Sequence, residues 1–299
     1  MKFDTYQIYQ SRILKVLVHI QNHLDGKLPL EELARVANFS PYHFHRIFSG
    51  MVGESVKEHV RRLRLERAAQ RLARAETPIT TVAFDSGYES HEAFTRAFHA
   101  MFNMSPSEFR EARRPPAYDR DDQRVHWMPD GALTVFEPHH GLAPVEAQVT
   151  YLDPIRVCFS RNVGPYAEVA ATWQVLMQWA WPRGLVRPGT RVLGIVHDDP
   201  EITPPEKIRY DACIEIHEEI QPEGNVGVQN IPGGRYAVAT HRGPYDLLGT
   251  TYAGLCGEWL AKSGHEPASS PAFEVYNNAS DETSPEELLT DIYLPIQQT

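Results

Sequence analysis

Fifty residues separate two nearly superimposable segments, SPYHFHRIFSGM at 40–51 and SHEAFTRAFHAM at 90–101. Phe44 falls on Phe94, Arg46 on Arg96, Phe48 on Phe98 and Met51 on Met101. Apolar residues recurring three, four and seven positions on define one buried face of a helix, so the chain must build the same short amphipathic helix twice. In the first copy Phe44, Ile47, Phe48 and Met51 form the inner face, and Tyr42, His45, Arg46 and Ser49 the outer one. In the second, Phe94, Ala97, Phe98 and Met101 face in, and Glu92, Thr95, Arg96 and His99 face out. Ser40 and Ser90 stand at N-cap positions, and Pro41 suits a first helical turn.

Each copy follows a short helix and a tight turn, LARVANF in one case and VAFDSGY, with Gly87, in the other. That is helix-turn-helix punctuation used twice. Ahead of it, Ile13, Leu17, Ile20 and Leu24 share a helical face. The basic stretch SVKEHVRRLRLERAAQRLARA predicts a long helix joining the copies, and SPSEFR closes the region with Ser105 and Glu108 at capping-box spacing. Residues 115–146, rich in proline and charge at their start, read as a linker with at most one strand.

The remainder is duplicated too. VGPYAEVAATW at 163–173 matches RGPYDLLGTTY at 242–252 at a shift of 79, and HDDPEITPPEKIRYDACIEI matches YNNASDETSPEELLTDIYLPI as the shift grows to 80. Each unit reads strand, Gly-Pro-Tyr turn, amphipathic helix, strand, acidic loop, strand. Two such units predict an α+β domain with a pseudo-two-fold axis and a ligand groove at their seam.

Charge divides the same way. Residues 1–114 hold 17 Lys and Arg against 13 Asp and Glu, a balance of +4. Residues 115–299 hold 12 against 26, or −14, and the two sum to the net −10. A basic first third suits a polyanion, and an acidic remainder suits something else. No apolar run approaches the roughly 18 residues of a membrane span, and no secretory leader is visible in MKFDTYQIYQ. A cytoplasmic protein without membrane contact is expected. The three cysteines, Cys158, Cys213 and Cys256, form no CxxC, so no metal site or disulfide framework is indicated. No cofactor motif is present either.

A helix fits the major groove, and an arginine on its outer face can pair with guanine or phosphate. Two such helices in one chain could occupy successive grooves, roughly 34 Å apart. The stretches ELARVANFSPYHFHRIF, VAFDSGYESHEAFTRAF and NMSPSEFR make region 5–114 resemble the AraC/XylS-type DNA-binding domain, an all-α double helix-turn-helix unit. The resemblance implies sequence-specific binding of double-stranded DNA, with Tyr42, His45 and Arg46 in one groove and His91, Glu92, Thr95 and Arg96 in the next. Glu92 departs from the expected charge. Some members with this domain at the N-terminus insert only the first helix, so both modes stay open.

The doubled GPY unit and PAFEVYNN…DIYLPI make residues 147–297 resemble the GyrI-like (SHS2-type) small-molecule-binding domain. An AraC-type start with this ending is the Rob-type layout of transcription regulators. That layout implies a bulky, cationic or aromatic effector, held by one buried glutamate ringed by aromatics, with RNA polymerase as a further partner. Strand alternation places Glu274 and Tyr276 on one face of AFEVY, with Phe273 and Val275 on the other. The repeat partner of Glu274 is read as Ile195. Candidate rings are Tyr166, Trp173, Tyr245, Tyr252, Trp259 and Tyr293, two of the six being reserved for the core. The expected protein is therefore a DNA-binding effector sensor rather than an enzyme. The rival reading is a GyrI-like hydrolase of strained cyclopropane compounds fused to a DNA-binding domain, with Glu274 in acid/base work.

Overall fold

The computed structural model describes residues 5–113, 124–129, 131, 133–139, 144–200, 203–279 and 282–298. Its contacts divide into two compact units that do not follow chain order. One holds Gln7–Asn38 and Met51–His140; the other holds Met1–Tyr6, Phe39–Gly50 and Gly141–Thr299. The segment Phe39–Gly50 is thus grouped with the second half of the chain, away from the rest of the helical region expected over 5–114.

The helical unit contains α1 (Thr5–Asn22), α2 (Leu30–Ala37), α4 (Val56–Arg74), α5 (Ile79–Asp85), α6 (His91–Phe102) and α7 (Pro106–Ala112). Ile13, Val16, Leu17 and Ile20 of α1 are buried, as the period requires. Helix α4 starts on a capping box in which Ser55 accepts from the Glu58 amide and Glu58 from the Ser55 amide. Ser105 and Glu108 repeat that arrangement at α7, as the spacing predicts.

The second helix-turn-helix is complete here. Leu65, Ala68, Ala69 and Leu72 of α4 pack with Val82 and Ala83 of α5, Phe94, Ala97 and Phe98 of α6, and Phe109 of α7. Phe98 and Phe109 meet edge to face at 5.4 Å. Gly87 takes the turn between α5 and α6 at φ 82°, and the Ser90 hydroxyl caps α6 by accepting from the Ala93 amide at 3.1 Å. The described part of the linker forms no strand. It is tied to α1 and α4 instead: Gln21 donates to the His126 carbonyl, Arg62 to the Val125 carbonyl, and the Trp127 amide to Glu66.

The other unit is built on an eight-stranded antiparallel sheet. Its strands are β1 (Gln148–Leu152), β2 (Ile155–Val163), β3 (Val192–Val196), β4 (Arg209–Glu215), β5 (Val226–Ile231), β6 (Gly234–Arg242), β7 (Phe273–Tyr276) and β8 (Leu289–Ile296), in the order β1-β6-β8-β7-β3-β4-β2-β5. The two repeats thus meet at β3 and β7, and the first strand of each joins the edge of the other's half. Strands β1 and β2 stand near opposite ends of that order yet are linked only by Asp153 and Pro154, so the sheet curls until its ends nearly meet. Helix α8 (Val169–Ala180) lies over β2 and β4. Its counterpart α9 (Leu248–Gly254) runs through a π-turn, Leu255–Trp259, into α10 (Leu260–Ser263). The sheet faces differ: Cys158, Tyr210, Ala212 and Ile214 pack with Leu176 and Ala180 of α8, whereas Leu193, Ile195, Tyr236, Phe273 and Val275 cluster on the other side.

Helix α3 (Pro41–Val52) has its inner face fully buried: Phe44, Ile47, Phe48 and Met51 are all 0% exposed. Ser40 opens it through its carbonyl, which accepts from the Phe44 amide. The Ser40 hydroxyl makes no hydrogen bond, so the expected side-chain cap is not formed.

Candidate effector cage and nucleic-acid helices

The centre of the sheet is the pairing of Gly194 in β3 with Glu274 in β7. Glu274 and Tyr276 point to the helix-bearing face, as strand alternation predicts. Ile195 points to the opposite face with Leu193 and Phe273, so it is not the counterpart of Glu274. The residue facing Glu274 across the seam is Gly194. The missing side chain is required there, because a Cβ on Gly194 would sit 2.7 Å from ring atoms of Tyr210.

Glu274 is 5% exposed and accepts two tyrosine hydroxyls, from Tyr252 at 3.1 Å and from Tyr276 at 2.8 Å. Tyr210 lies 2.8 Å from the Tyr276 hydroxyl. Since Tyr276 spends its proton on the carboxylate, Tyr210 is the donor to Tyr276. Trp173 of α8 contacts Tyr276 at 5.9 Å and Tyr210 at 6.5 Å; Tyr245 meets Tyr276 at 5.5 Å, and Tyr166 meets Tyr210 at 6.0 Å. Burial raises the carboxyl of Glu274 above its ordinary range, opposed by the two tyrosine hydrogen bonds and the nearby Arg46 charge. The same burial, with Glu274 alongside, pushes the phenols of Tyr252 and Tyr276 well up, so both remain donors. A poorly solvated carboxylate walled by aromatic faces favours an organic cation over water as its partner.

Two expected rings lie elsewhere. Tyr293 pairs with Phe273 in the sheet register and stacks on it at 4.6 Å, on the face away from Glu274. Trp259 ends the π-turn, where the wider turn breaks the helical count that aligned it with Tyr252, and it stacks on His265 at 6.2 Å. Tyr210 was not among the expected residues. Its repeat partner is Thr290, so aromatic recurrence could not mark it; the alternation Tyr210, Ala212, Ile214 along β4 does.

The outer faces of the repeated helices differ. On α6, Glu92 and Arg96 are exposed and His91 half-buried, while the Thr95 hydroxyl is covered and unbonded. The Glu92 carboxyl is held low by its own backbone amide and the Ser90 hydroxyl, so this carboxylate serves the helix start. On α3, Tyr42 is 41% exposed, but His45 is 1% exposed and the Arg46 side chain 10%. His45 Nδ1 lies 3.0 Å from Asp199, Arg46 Nε lies 3.9 Å from the same carboxylate, and the Arg46 guanidinium sits 3.9 Å above the Tyr252 ring. The structure therefore brings Arg46 to the rim of the Glu274 cage.

Among the described residues no group of His, Cys, Asp and Glu is placed to hold a metal ion, and no helix is long and apolar enough to cross a membrane. The three cysteines are buried and unpaired.

Residues 146–297 match the GyrI-like small molecule binding domain family, and residues 33–112 match a helix-turn-helix domain family. The chain is 37% identical over 109 residues to the probable transcriptional regulator YgiV of Escherichia coli (strain K12), covering 36% of this chain and 68% of YgiV. It is 38% identical over 102 residues to the HTH-type transcriptional regulator YbfP of Bacillus subtilis (strain 168), covering 34% of this chain and 35% of YbfP. The crystal structure of the EcmrR C-terminal domain is 20% identical, with a TM-score of 0.42, and covers 52% of this chain and 99% of that one.

Proposed function

The chain belongs to the AraC-type helix-turn-helix transcriptional regulators that carry a GyrI-like small molecule binding domain, and from that premise we propose that it binds duplex DNA through its repeated helices and a bulky aromatic cation in the Glu274 cage. The single observation that carries the effector half is the buried Glu274 carboxylate, bonded among the described residues to two tyrosine hydroxyls and walled by Trp173, Tyr210, Tyr245 and Tyr276. Its charge is incompletely neutralised by neutral donors, and a ligand cation completes the pairing. Support for the DNA half is the open outer face of α6, with Arg96 exposed.

Tetraphenylphosphonium serves as a bulky aromatic monocation. Calorimetric titration into the full chain should show binding that falls at least about tenfold in Glu274→Gln, in line with roughly 1.5–3 kcal/mol for a charged contact. Equal affinity in both proteins removes Glu274 from the site. Recovery of intact probe supports a sensor; turnover of a cyclopropane-bearing compound that Glu274→Gln abolishes supports the hydrolase reading. On the DNA side, Arg96→Ala should weaken binding to a selected duplex by about 1–3 kcal/mol if it pairs with a guanine. An unchanged affinity and footprint excludes Arg96 from the reading surface.

A further inference from the structure

The two copies of the repeated helix, alike in sequence, have opposite fates. The outer face of α6 is open, whereas on α3 only Tyr42 stays exposed, and His45 and Arg46 are covered within the sheet-bearing unit to which Phe39–Gly50 belongs. Four contacts seat it. His43, 0% exposed, places Nε2 3.1 Å from the Ser270 carbonyl. His45 reaches Asp199, and Arg46 lies over Tyr252. At the end of the segment the backbones of α3 and the π-turn touch: a Cβ on Gly50 would fall 2.5 Å from the Ala253 carbonyl and 2.6 Å from the Gly257 Cα. A Cβ on Gly257 would in turn lie 2.8 Å from the Gly50 carbonyl oxygen. Only a glycine on each side permits that crossing, and the π-turn places Gly257 there. In α6 the position of Gly50 is taken by Ala100, and that of His43 by Ala93.

Tyr252 is the hinge of the matter, because one face receives the Arg46 guanidinium while its hydroxyl donates to Glu274. A guanidinium over an aromatic ring beside carboxylates is the chemistry that would recognise an organic cation. We infer that Arg46 occupies the place of the cationic guest, so that guest and α3 compete for one site and a bound guest frees the outer face of α3 for the double helix. This rests on the cage reading above. By linkage, whatever factor the guest adds to DNA affinity, DNA adds to guest affinity. The free cage is available only in the fraction of molecules with α3 undocked, which lowers the apparent affinity of both ligands by that fraction.

The test uses full-length protein, tetraphenylphosphonium, and a labelled duplex enriched from a random-sequence pool by the wild-type chain in saturating tetraphenylphosphonium. Saturating tetraphenylphosphonium should raise the affinity of the wild-type chain for that duplex by about tenfold, within the usual 5- to 150-fold range of coupling. Gly257→Ala, which cannot accept the crossing with Gly50, should bind both duplex and cation about tenfold more tightly and lose the coupling. Gly50→Ala attacks the same crossing from the other side. If neither variant folds, the wild-type comparison still decides. Tetraphenylphosphonium that binds without altering duplex affinity in the wild type overturns the competition while leaving the cage reading intact. Failure of both wild type and Gly257→Ala to bind the cation overturns the cage reading itself, and the competition with it.

Discussion

Replacing Gly194 by Ala should disable the cage without altering any side chain that faces a ligand. The new Cβ would lie 2.7 Å from Cε2 and Cζ of Tyr210, about 1 Å inside normal carbon–carbon contact. Tyr210 has little room to retreat. It is 3% exposed, is flanked by Tyr166 and Trp173, and bonds the Tyr276 hydroxyl. Overpacking of this kind costs about 1–3 kcal/mol, and losing the Tyr210–Tyr276 hydrogen bond adds about 1 kcal/mol. A total loss of about 2–4 kcal/mol is expected in urea unfolding, as a lower midpoint with an unchanged slope. Calorimetry should show weaker tetraphenylphosphonium binding, because Tyr276 loses the donor that orients it toward Glu274. Tyr210→Leu in the Gly194→Ala background should return part of the stability, with a coupling of about 0.5–3 kcal/mol. Stability within about 0.5 kcal/mol of wild type, and no coupling to position 210, would refute the claim that the Tyr210 ring lies across β3.

Two other outcomes follow from buried charge. Arg62 donates to Glu66 at 2.7 Å and to Glu54 at 3.1 Å within the helical unit; Glu66 is 0% exposed. Against burial, hydrogen bonds from His59 and Arg62 hold the Glu54 carboxyl down at about 2. Arg62→Leu takes the guanidinium away from both carboxylates and should cost about 3–5 kcal/mol, measured by chemical denaturation; a loss below about 1 kcal/mol would contradict the network. Burial, with Arg46 beside it, lowers the His43 imidazole from 6.5 to about 4. Between those values the unfolded chain binds the proton and the folded chain does not, so stability should fall as the pH drops through that window, by up to about 3 kcal/mol. His43→Asn should flatten the profile, and an unchanged slope would show that His43 is not held neutral.

Much of the cage was legible in the residues themselves, and the losses have physical causes. Two-residue alternation placed Glu274 and Tyr276 on one face because β7 is a regular strand. The same counting across the repeats slipped by one at Ile195, because the shift, 79 at the Gly-Pro-Tyr turns, has already grown to 80 where β3 matches β7. Trp259 was misplaced by a π-turn, which no apolar period announces, and Tyr293 by a register that only the pairing with Phe273 reveals. The helix-turn-helix elements were visible through caps and spacing, with Ser90, Ser105 and Glu108 acting as expected. The covering of α3 was not, since Arg46 and Arg96 look equivalent in the chain; the difference lies in Gly50 against Ala100. Asp211 and Asp291 stand at matching places in β4 and β8: Asp211 is fully buried and pairs with Arg161 and His197, and Asp291 accepts from Thr240.

The exchange of β1 and β5 between the halves of the sheet has a consequence for how this molecule can come apart. Neither duplicated segment contains the edge strand that finishes its own half, so neither is a self-sufficient folding unit. A chain carrying one segment alone would complete its sheet only by trading that strand with a twin, and the covalent fusion of two segments makes the trade unimolecular. Cutting the backbone between β4 and β5 would therefore leave two fragments clasped by reciprocal arms, parting only when both release together.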